Sequence, residues 1–475
     1  MKKMRLLIRG ICVLLLLAIV FTVAAYTVVI KKDGKKWGNR PNNGRLTEAR
    51  QSVIEGSIID SAGVVLAESS APGERHYIEN DDVRFALSHT IGDTKAQCAN
   101  GVENRQATVL LGMSDLTRND YMVQTLMGST PAGNDIHLTV SAELSTYMAS
   151  LFPAGHNGAA VLLNYETGAI LGKVSLPGYD VADIDIKRDE WLGRSYFDRT
   201  LTLPNAPGSA FKIIVLDSAL ENLNGCAFED YECAGEWSIS DYTIHCAGST
   251  AHGEMSLMDA FANSCNVTFS NLAYRLGAAR LMDTANRFGF NQTFVFSDFV
   301  LQASKCLAGK PTSGETLQAG IGQGETTMTP LHMAMISGAI ANGGVMMEPH
   351  IIGSVSRYNG ETLTETVPSE LMTVCDPETA ETIAKYMYAV VDHGTGTRAK
   401  ISGYSGGHVC GKTGSAEFGT TKSDSTHAWY TGFLYGDAEH PYAIAVFVEG
   451  GGSGGAVAAP MASKMMAKAI SMGLY

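Results

Sequence analysis

"GGHVCGKTG" (residues 406–414) is compatible with two folds. The letters fit G-x-x-x-x-G-K-[ST], with Gly406, Gly411, Lys412 and Thr413, a loop that cradles phosphate between a strand and a helix. Read from Lys412, they are Lys-Thr-Gly, one corner of a serine acyl-transfer site. A phosphate loop needs a helix directly downstream, so that backbone N–H groups meet the anion. The residues after Thr413 are "GSAEFGTTKSDST", too rich in Gly, Ser and Thr to open one. The strand reading is preferred, with Gly411 as a position where a substrate backbone could approach closely. That reading needs a nucleophile elsewhere.

Ser209-Ala210-Phe211-Lys212 supplies S-x-x-K. On a helix, positions i and i+3 share a face, so the Lys212 amine is expected to reach the Ser209 oxygen. "FKIIVLDSALEN" (211–222) reads as a buried helix entered through Pro207-Gly208-Ser209, which puts Ser209 where the helix dipole favours negative charge. A hydroxyl is a poor nucleophile until a base takes its proton. A lysine serves as that base once burial and nearby cations lower its pKa. Ser264-Cys265-Asn266 adds S-x-N, a hydroxyl to relay a proton and an amide to hold substrate. Alone, S-x-x-K is weak, arising about twice by chance in a chain this long. The three motifs in this order, the first opening a helix and the third in a strand, are far more specific. The bland readings are Ser209 as a mere helix cap, Lys212 as a solvated side chain and Asn266 as part of a fortuitous N-x-T. A second decoy, Gly451-Gly452-Ser453-Gly454-Gly455, fits a nucleophile elbow. That architecture needs later acidic and His partners, and no His, Asp or Glu comes after Ser453. A glycine turn between strand and helix fits better.

Around these motifs, "AAVLLNYETGAILGKVS" (159–175) reads as two strands. Ser256 with Asp259, Thr329 with Pro330, and Asp376 with Pro377 read as helix starts. Residues 428–435 and 442–449 read as paired strands, and 457–472 as a terminal helix. The fold class implied is α+β, an antiparallel sheet packed by helices. The chain has 475 residues, 45% of them hydrophobic, room for more than one domain.

Residues 11–30 form an uncharged apolar run long enough to span a bilayer, and long for a cleaved signal peptide, the alternative. Residues 1–36 carry eight basic side chains and one acidic. The net charge is −13, so the remainder carries −20, and nucleic acid is not an expected partner. The organisation expected is a cytoplasmic tail (1–10), a single-pass transmembrane anchor (11–30), a polar stem (31–50), a small accessory domain (51–135) and a catalytic domain (136–475) outside the cytoplasm. Nine cysteines occur without C-x-x-C spacing, so no zinc site is expected. Cys233 and Cys246 flank a hairpin-like segment, and the sequence leaves a disulfide and two free thiols equally open.

The chain resembles the penicillin-binding proteins, specifically the membrane-anchored class B transpeptidases. The resemblance runs through "EGSIIDSAGVVLAES" (55–69), "ANGVENRQATVLLG" (99–112), "RTLTLPNAPGSAFKI" (199–213), "HGEMSLMDAFANSCNVTF", "GIGQGETTMTPLHMAMISGAIANGG", "VVDHGTGT", "GKTGSAEF" and "HAWYTGF". It covers most of the chain beyond the stem, though the accessory region looks short for the class. It implies a bacterial cell-membrane protein whose Ser209 attacks the penultimate D-alanyl carbonyl of a peptidoglycan stem peptide and expels D-Ala. Lys212 is then the base. Ser264, with Lys212 or Lys412, returns the proton, and Asn266 positions the substrate amide. Lys412, Thr413, Gly414 and Ser415 meet the terminal carboxylate. The backbone N–H groups of Ser209 and Ser415 form the oxyanion hole. A neighbouring amine resolves the acyl-enzyme, no metal or organic cofactor is required, and β-lactams acylate Ser209. A lipid-linked precursor and a polytopic membrane glycan polymerase are the implied partners. A D,D-carboxypeptidase or β-lactamase of the same fold is the alternative, with a β-lactam sensor or a non-catalytic scaffold behind it.

Overall fold

Two strands inside the main sheet, residues 158–164 and 442–448, are buried along their whole length rather than alternately, because helices cover both faces of that sheet. The computed structural model describes residues 10–11, 13–25, 27–28, 44–95, 97–184, 196–239, 242–418 and 426–475. Its central sheet comprises β1 (Gly158–Asn164), β2 (Ile170–Leu176), β3 (His408–Glu417), β4 (Thr426–Tyr435) and β5 (Tyr442–Val448). Their spatial order is β3-β4-β5-β1-β2, with every neighbour antiparallel. All seven residues of β1 and of β5 are buried.

The helices that position the site are α1 (Ala142–Ser150), α2 (Lys212–Asn222), α3 (Leu257–Ala262), α4 (Asn266–Arg287), α5 (Pro330–Ala341), α6 (Pro377–Asp392) and α7 (Ala458–Met472). On one face of the sheet, Leu144 and Met148 of α1 and Met461, Met465 and Met466 of α7 pack with Leu162, Tyr430, Ile444 and Val446. On the other, Phe211, Ile214, Met333 and Ile336 join Val161, Ala445, Phe447 and Trp429. The sequence ends α5 sharply at both ends. Thr329 accepts the His332 N–H, Pro330 takes the first helical position, and Gly343 and Gly344 come next at φ +61° and +90°. Ile336 on α5 is fully buried, so truncating it to Ala costs about 2–5 kcal/mol. The other expected caps also form: Ser256 accepts the Asp259 N–H, and Asp376 accepts from Glu378 and Thr379.

A second sheet of six strands has the order Thr362–Glu365, Ile352–Arg357, Asn134–Leu138, Ile58–Ile59, Val65–Ala71, Glu74–Tyr77. It draws strands from both sides of the 135/136 boundary. Behind it, Glu103 of the "GVENR" segment is buried and accepts Arg75 Nε at 2.7 Å and Arg50 Nη1 at 3.3 Å. Among the described residues, no helix is long and apolar enough to cross a membrane. The span expected over 11–30 lies partly outside them. Residues 13–25 are helical, with Leu14, Leu16 and Phe21 exposed. The expected tail over 1–9 and the stem over 31–43 fall outside the described residues.

Candidate active site

Ser209 stands on a 3-10 turn, Gly208–Phe211, that runs directly into α2. It is half-buried. The α-helix proper begins at Lys212, and in the 3-10 turn before it positions i and i+3 also share a face. Gly208 has φ +54°, and its N–H donates to Gly322 O at 3.0 Å. Gly322 is itself at φ +68°, and a Cβ there would lie 2.0 Å from Gly208 O. The "GIGQG" turn is thus the floor of the nucleophile's turn. Its other wall is β3, the edge strand of the main sheet. A Cβ on Gly414 would meet Pro207 O at 2.4 Å, and one on Gly208 would meet Ser415 O at 2.6 Å. Two glycines, one on each side, bring the Ser209 and Ser415 backbones together.

Lys212 is fully buried. Its Nζ donates to Ser264 O at 2.7 Å, Asn266 Oδ1 at 2.8 Å and Ser264 Oγ at 3.3 Å. Among the described residues it makes no hydrogen bond to Ser209. Ser264 links α3 to α4 and takes φ +58°, a conformation that costs a side-chain-bearing residue about 1–3 kcal/mol. That strain turns both its carbonyl and its hydroxyl toward the lysines. Lys412, also fully buried, donates to the same Ser264 Oγ at 3.0 Å and to Thr413 O at 3.1 Å. Two amines thus converge on one hydroxyl. The rings of Phe269 and Phe261 sit 5.4 Å from Lys212 and Lys412 Nζ respectively. Burial lowers the Lys212 pKa to about 7. It holds Lys412 well below the usual lysine value, and the neighbouring Lys212 charge lowers it further. Two ammonium groups this close do not both stay charged near neutrality, so the pair titrates as a unit.

Asn266 opens α4, and its Nδ2 donates to His245 O at 2.9 Å. Thr413 Oγ1 is 2.7 Å from Thr395 Oγ1, and Thr395 N–H is fixed on Ala262 O at 3.0 Å. Motif spacing does not point to Thr395. Its only signal in the sequence is the Gly-Thr-Gly-Thr turn after α6. Ser415 Oγ accepts the Gly454 N–H at 3.1 Å. The "GGSGG" turn, a decoy as an elbow, therefore braces the Lys-Thr-Gly strand. Gly411 answers a local need too. A Cβ there would lie 2.1 Å from Tyr430 Oη, so the chain's own tyrosine, not a substrate backbone, excludes a side chain. In all, Ser209, Lys212, Ser264, Asn266, Lys412, Thr413, Gly414 and Ser415 meet along the inner part of β3. Cys233 and Cys246 are free thiols 3.6 Å apart, the second of the two states that the sequence leaves open.

A serine on a helix-entry turn, two buried lysines sharing a second serine and an edge strand carrying Lys-Thr-Gly also mark a known family. Residues 158–467 match the family model described as the penicillin binding protein transpeptidase domain. The chain belongs to the penicillin-binding protein transpeptidase family. Across 493 residues it is 27% identical to the peptidoglycan D,D-transpeptidase PbpA of Mycolicibacterium smegmatis, covering 98% of both chains. Among solved structures it is similar to penicillin-binding protein A from M. tuberculosis as a ceftriaxone acyl-enzyme complex. That match has a TM-score of 0.79 at 26% identity, over 89% of this chain and 99% of the other. The D,D-transpeptidase domain of a peptidoglycan glycosyltransferase from Eggerthella lenta gives a TM-score of 0.75 at 28% identity, over 89% and 100%. The penicillin-binding transpeptidase domain is thus α+β, and its match begins at β1 and closes within α7.

Proposed function

We propose that this class B penicillin-binding protein is a peptidoglycan D,D-transpeptidase, a serine acyltransferase that cross-links stem peptides and is acylated covalently by β-lactams. The observation that carries the mechanism is the convergence of Lys212 and Lys412 on Ser264 Oγ beside the Ser209 turn. Ser209 Oγ attacks the penultimate D-alanyl carbonyl. Its proton passes to neutral Lys212, whose low pKa makes it a base at neutral pH. The developing oxyanion is held by the Ser209 and Ser415 backbone N–H groups, brought together by Gly208 and Gly414. Ser264, bonded to both lysines, hands a proton to the departing D-Ala amine. Asn266 and the free edge of β3 align the extended peptide, since an edge strand's unpaired backbone groups suit strand addition. Lys412, Thr413 and Ser415 meet its carboxylate. An amine from a second stem peptide then takes the acyl group, and its proton leaves by the same relay.

The domain order belongs to the same proposal: a tail and membrane anchor over 1–30, a stem to 50, an accessory unit to 135 and the transpeptidase domain beyond. The basic ends and apolar run of residues 1–36 support a single-pass placement with the catalytic domain outside the cytoplasm. The stem peptide of a lipid-linked precursor is the donor, and a polytopic membrane glycan polymerase is the proposed partner that makes the strands.

The reaction is tested with a D-Ala-D-Ala donor peptide and an amine acceptor of stem-peptide type. D-Ala release matched by cross-linked product is expected. Release matched only by hydrolysed donor would make the chain a carboxypeptidase.

A further inference from the structure

Beside the lysines lies a second cluster that acyl transfer does not use. Cys233 ends the strand Asp230–Cys233, Cys246 comes directly after the strand Tyr242–His245, and His252 precedes the strand Gly253–Ser256. Cys265 caps α4, between Ser264 and Asn266. The ligand atoms of all four lie within 4.8 Å of one another, with the three cysteines buried and His252 half-buried. Cys246 Sγ is 3.6 Å from Cys233 Sγ and 3.7 Å from Cys265 Sγ, and Cys233 Sγ is 3.4 Å from His252 Nδ1.

These three separations match three of the six edges of a tetrahedral site, and none of the six exceeds 4.8 Å. With Zn–S of about 2.3 Å and Zn–N of about 2.0 Å, tetrahedral zinc sets sulfurs about 3.8 Å apart and sulfur and nitrogen about 3.5 Å apart. A disulfide needs two sulfurs at about 2.05 Å and leaves Cys265 and His252 without purpose. As a purely hydrogen-bonded set the cluster would be poor, because thiols are weak donors and acceptors. The backbone already supplies the outer bonds that metal thiolates take. Gly235 N–H donates to Cys233 Sγ at 3.4 Å, and Thr268 donates to Cys265 Sγ through N–H at 3.4 Å and Oγ1 at 3.3 Å.

We propose that Cys233, Cys246, His252 and Cys265 bind one zinc ion. Three S–H bonds break and release three protons to solvent, three Zn–S bonds form, and neutral His252 gives the fourth bond through Nδ1. Four protein ligands leave no open position, so the site is structural rather than hydrolytic. It fastens the segment carrying residues 230–256 to the Ser264 turn through the residue between Ser264 and Asn266. The ligands are 13, 6 and 13 residues apart, without the paired C-x-x-C spacing on which the expectation of no zinc site rested.

The test uses the full chain, purified reduced and without chelator, and needs no activity. Zinc is counted by elemental mass analysis, and cobalt(II) is exchanged in as a spectroscopic probe. About one zinc per chain is expected, with a thiolate-to-cobalt charge-transfer band of tetrahedral type. His252→Ala, at a half-exposed position, and Cys233→Ser should each cut metal content at least about tenfold. Cys306→Ser, a buried cysteine outside the cluster, should leave it unchanged. Three results would overturn the proposal: reduced chain that takes up neither metal, metal retained in full by both ligand variants, or native chain with Cys233 and Cys246 joined on non-reducing peptide maps.

Discussion

Replacing Gly208 with Ala should cripple acylation while leaving the chain folded. The added Cβ would lie 2.6 Å from Ser415 O and 2.9 Å from Ser415 C, both backbone atoms of β3. An ordinary contact begins near 3.5 Å, so turn and strand must separate by about 0.9 Å. Gly208 also sits at φ +54°, which adds about 1–2 kcal/mol for a residue with a Cβ. The separation opens the gap between the two N–H groups assigned to the oxyanion. A misplacement of about 1 Å costs about 10²-fold in rate, equivalent to about 2.7 kcal/mol of transition-state stabilisation. The second-order acylation rate with a fluorescent penicillin should therefore fall about 100-fold. Gly436→Ala is the control: it has φ +79° with open space where a Cβ would stand, so it carries the backbone cost without the clash and should acylate normally. A folded Gly208→Ala chain that acylates within about threefold of the parent would refute the placement of the oxyanion hole.

The remaining predictions concern the proton relay and its supports. With the Lys212 pKa lowered to about 7, the neutral base disappears as pH falls. Acylation should drop about tenfold per pH unit below 7 and level off above it, whereas a flat profile from about pH 5.5 to 8.5 contradicts Lys212 as base. Ser264→Ala removes the hydroxyl shared by both amines and should lower acylation about 10²–10⁴-fold, measured by stopped-flow. Thr395→Val deletes the 2.7 Å contact with Thr413. One hydrogen bond of about 1 kcal/mol predicts a five- to tenfold weaker encounter with substrate, read as a higher KM at nearly constant kcat.

Much of the site is legible because its chemistry is carried by short motifs on regular elements. Lys412-Thr413-Gly414 sits on a strand, Ser209 enters a helix and Asn266 opens another, so local pattern and chemistry agree. Cap chemistry locates α3, α5 and α6 for the same reason. What escapes a reading along the chain is non-local. The six-stranded sheet joins residues 58–77 to 134–138 and 352–365, pairings that no period in the sequence announces. Lys212 bonds Ser264 and Asn266 across more than fifty residues of sequence, contacts that no local spacing announces. Gly411 reads as room for a substrate, but Tyr430 fills the space. The cysteines and His252 meet only because two short strand pairs fold over the start of α4.

The central claim is that Ser209 is the acylated nucleophile. Intact-mass analysis of the full chain after benzylpenicillin, together with peptide mapping, tests it most directly. One added penicilloyl group is predicted, on the peptide containing Ser209-Ala210-Phe211-Lys212, and none on a folded Ser209→Ala chain. An adduct on any other residue, or one that persists in Ser209→Ala, would contradict the account.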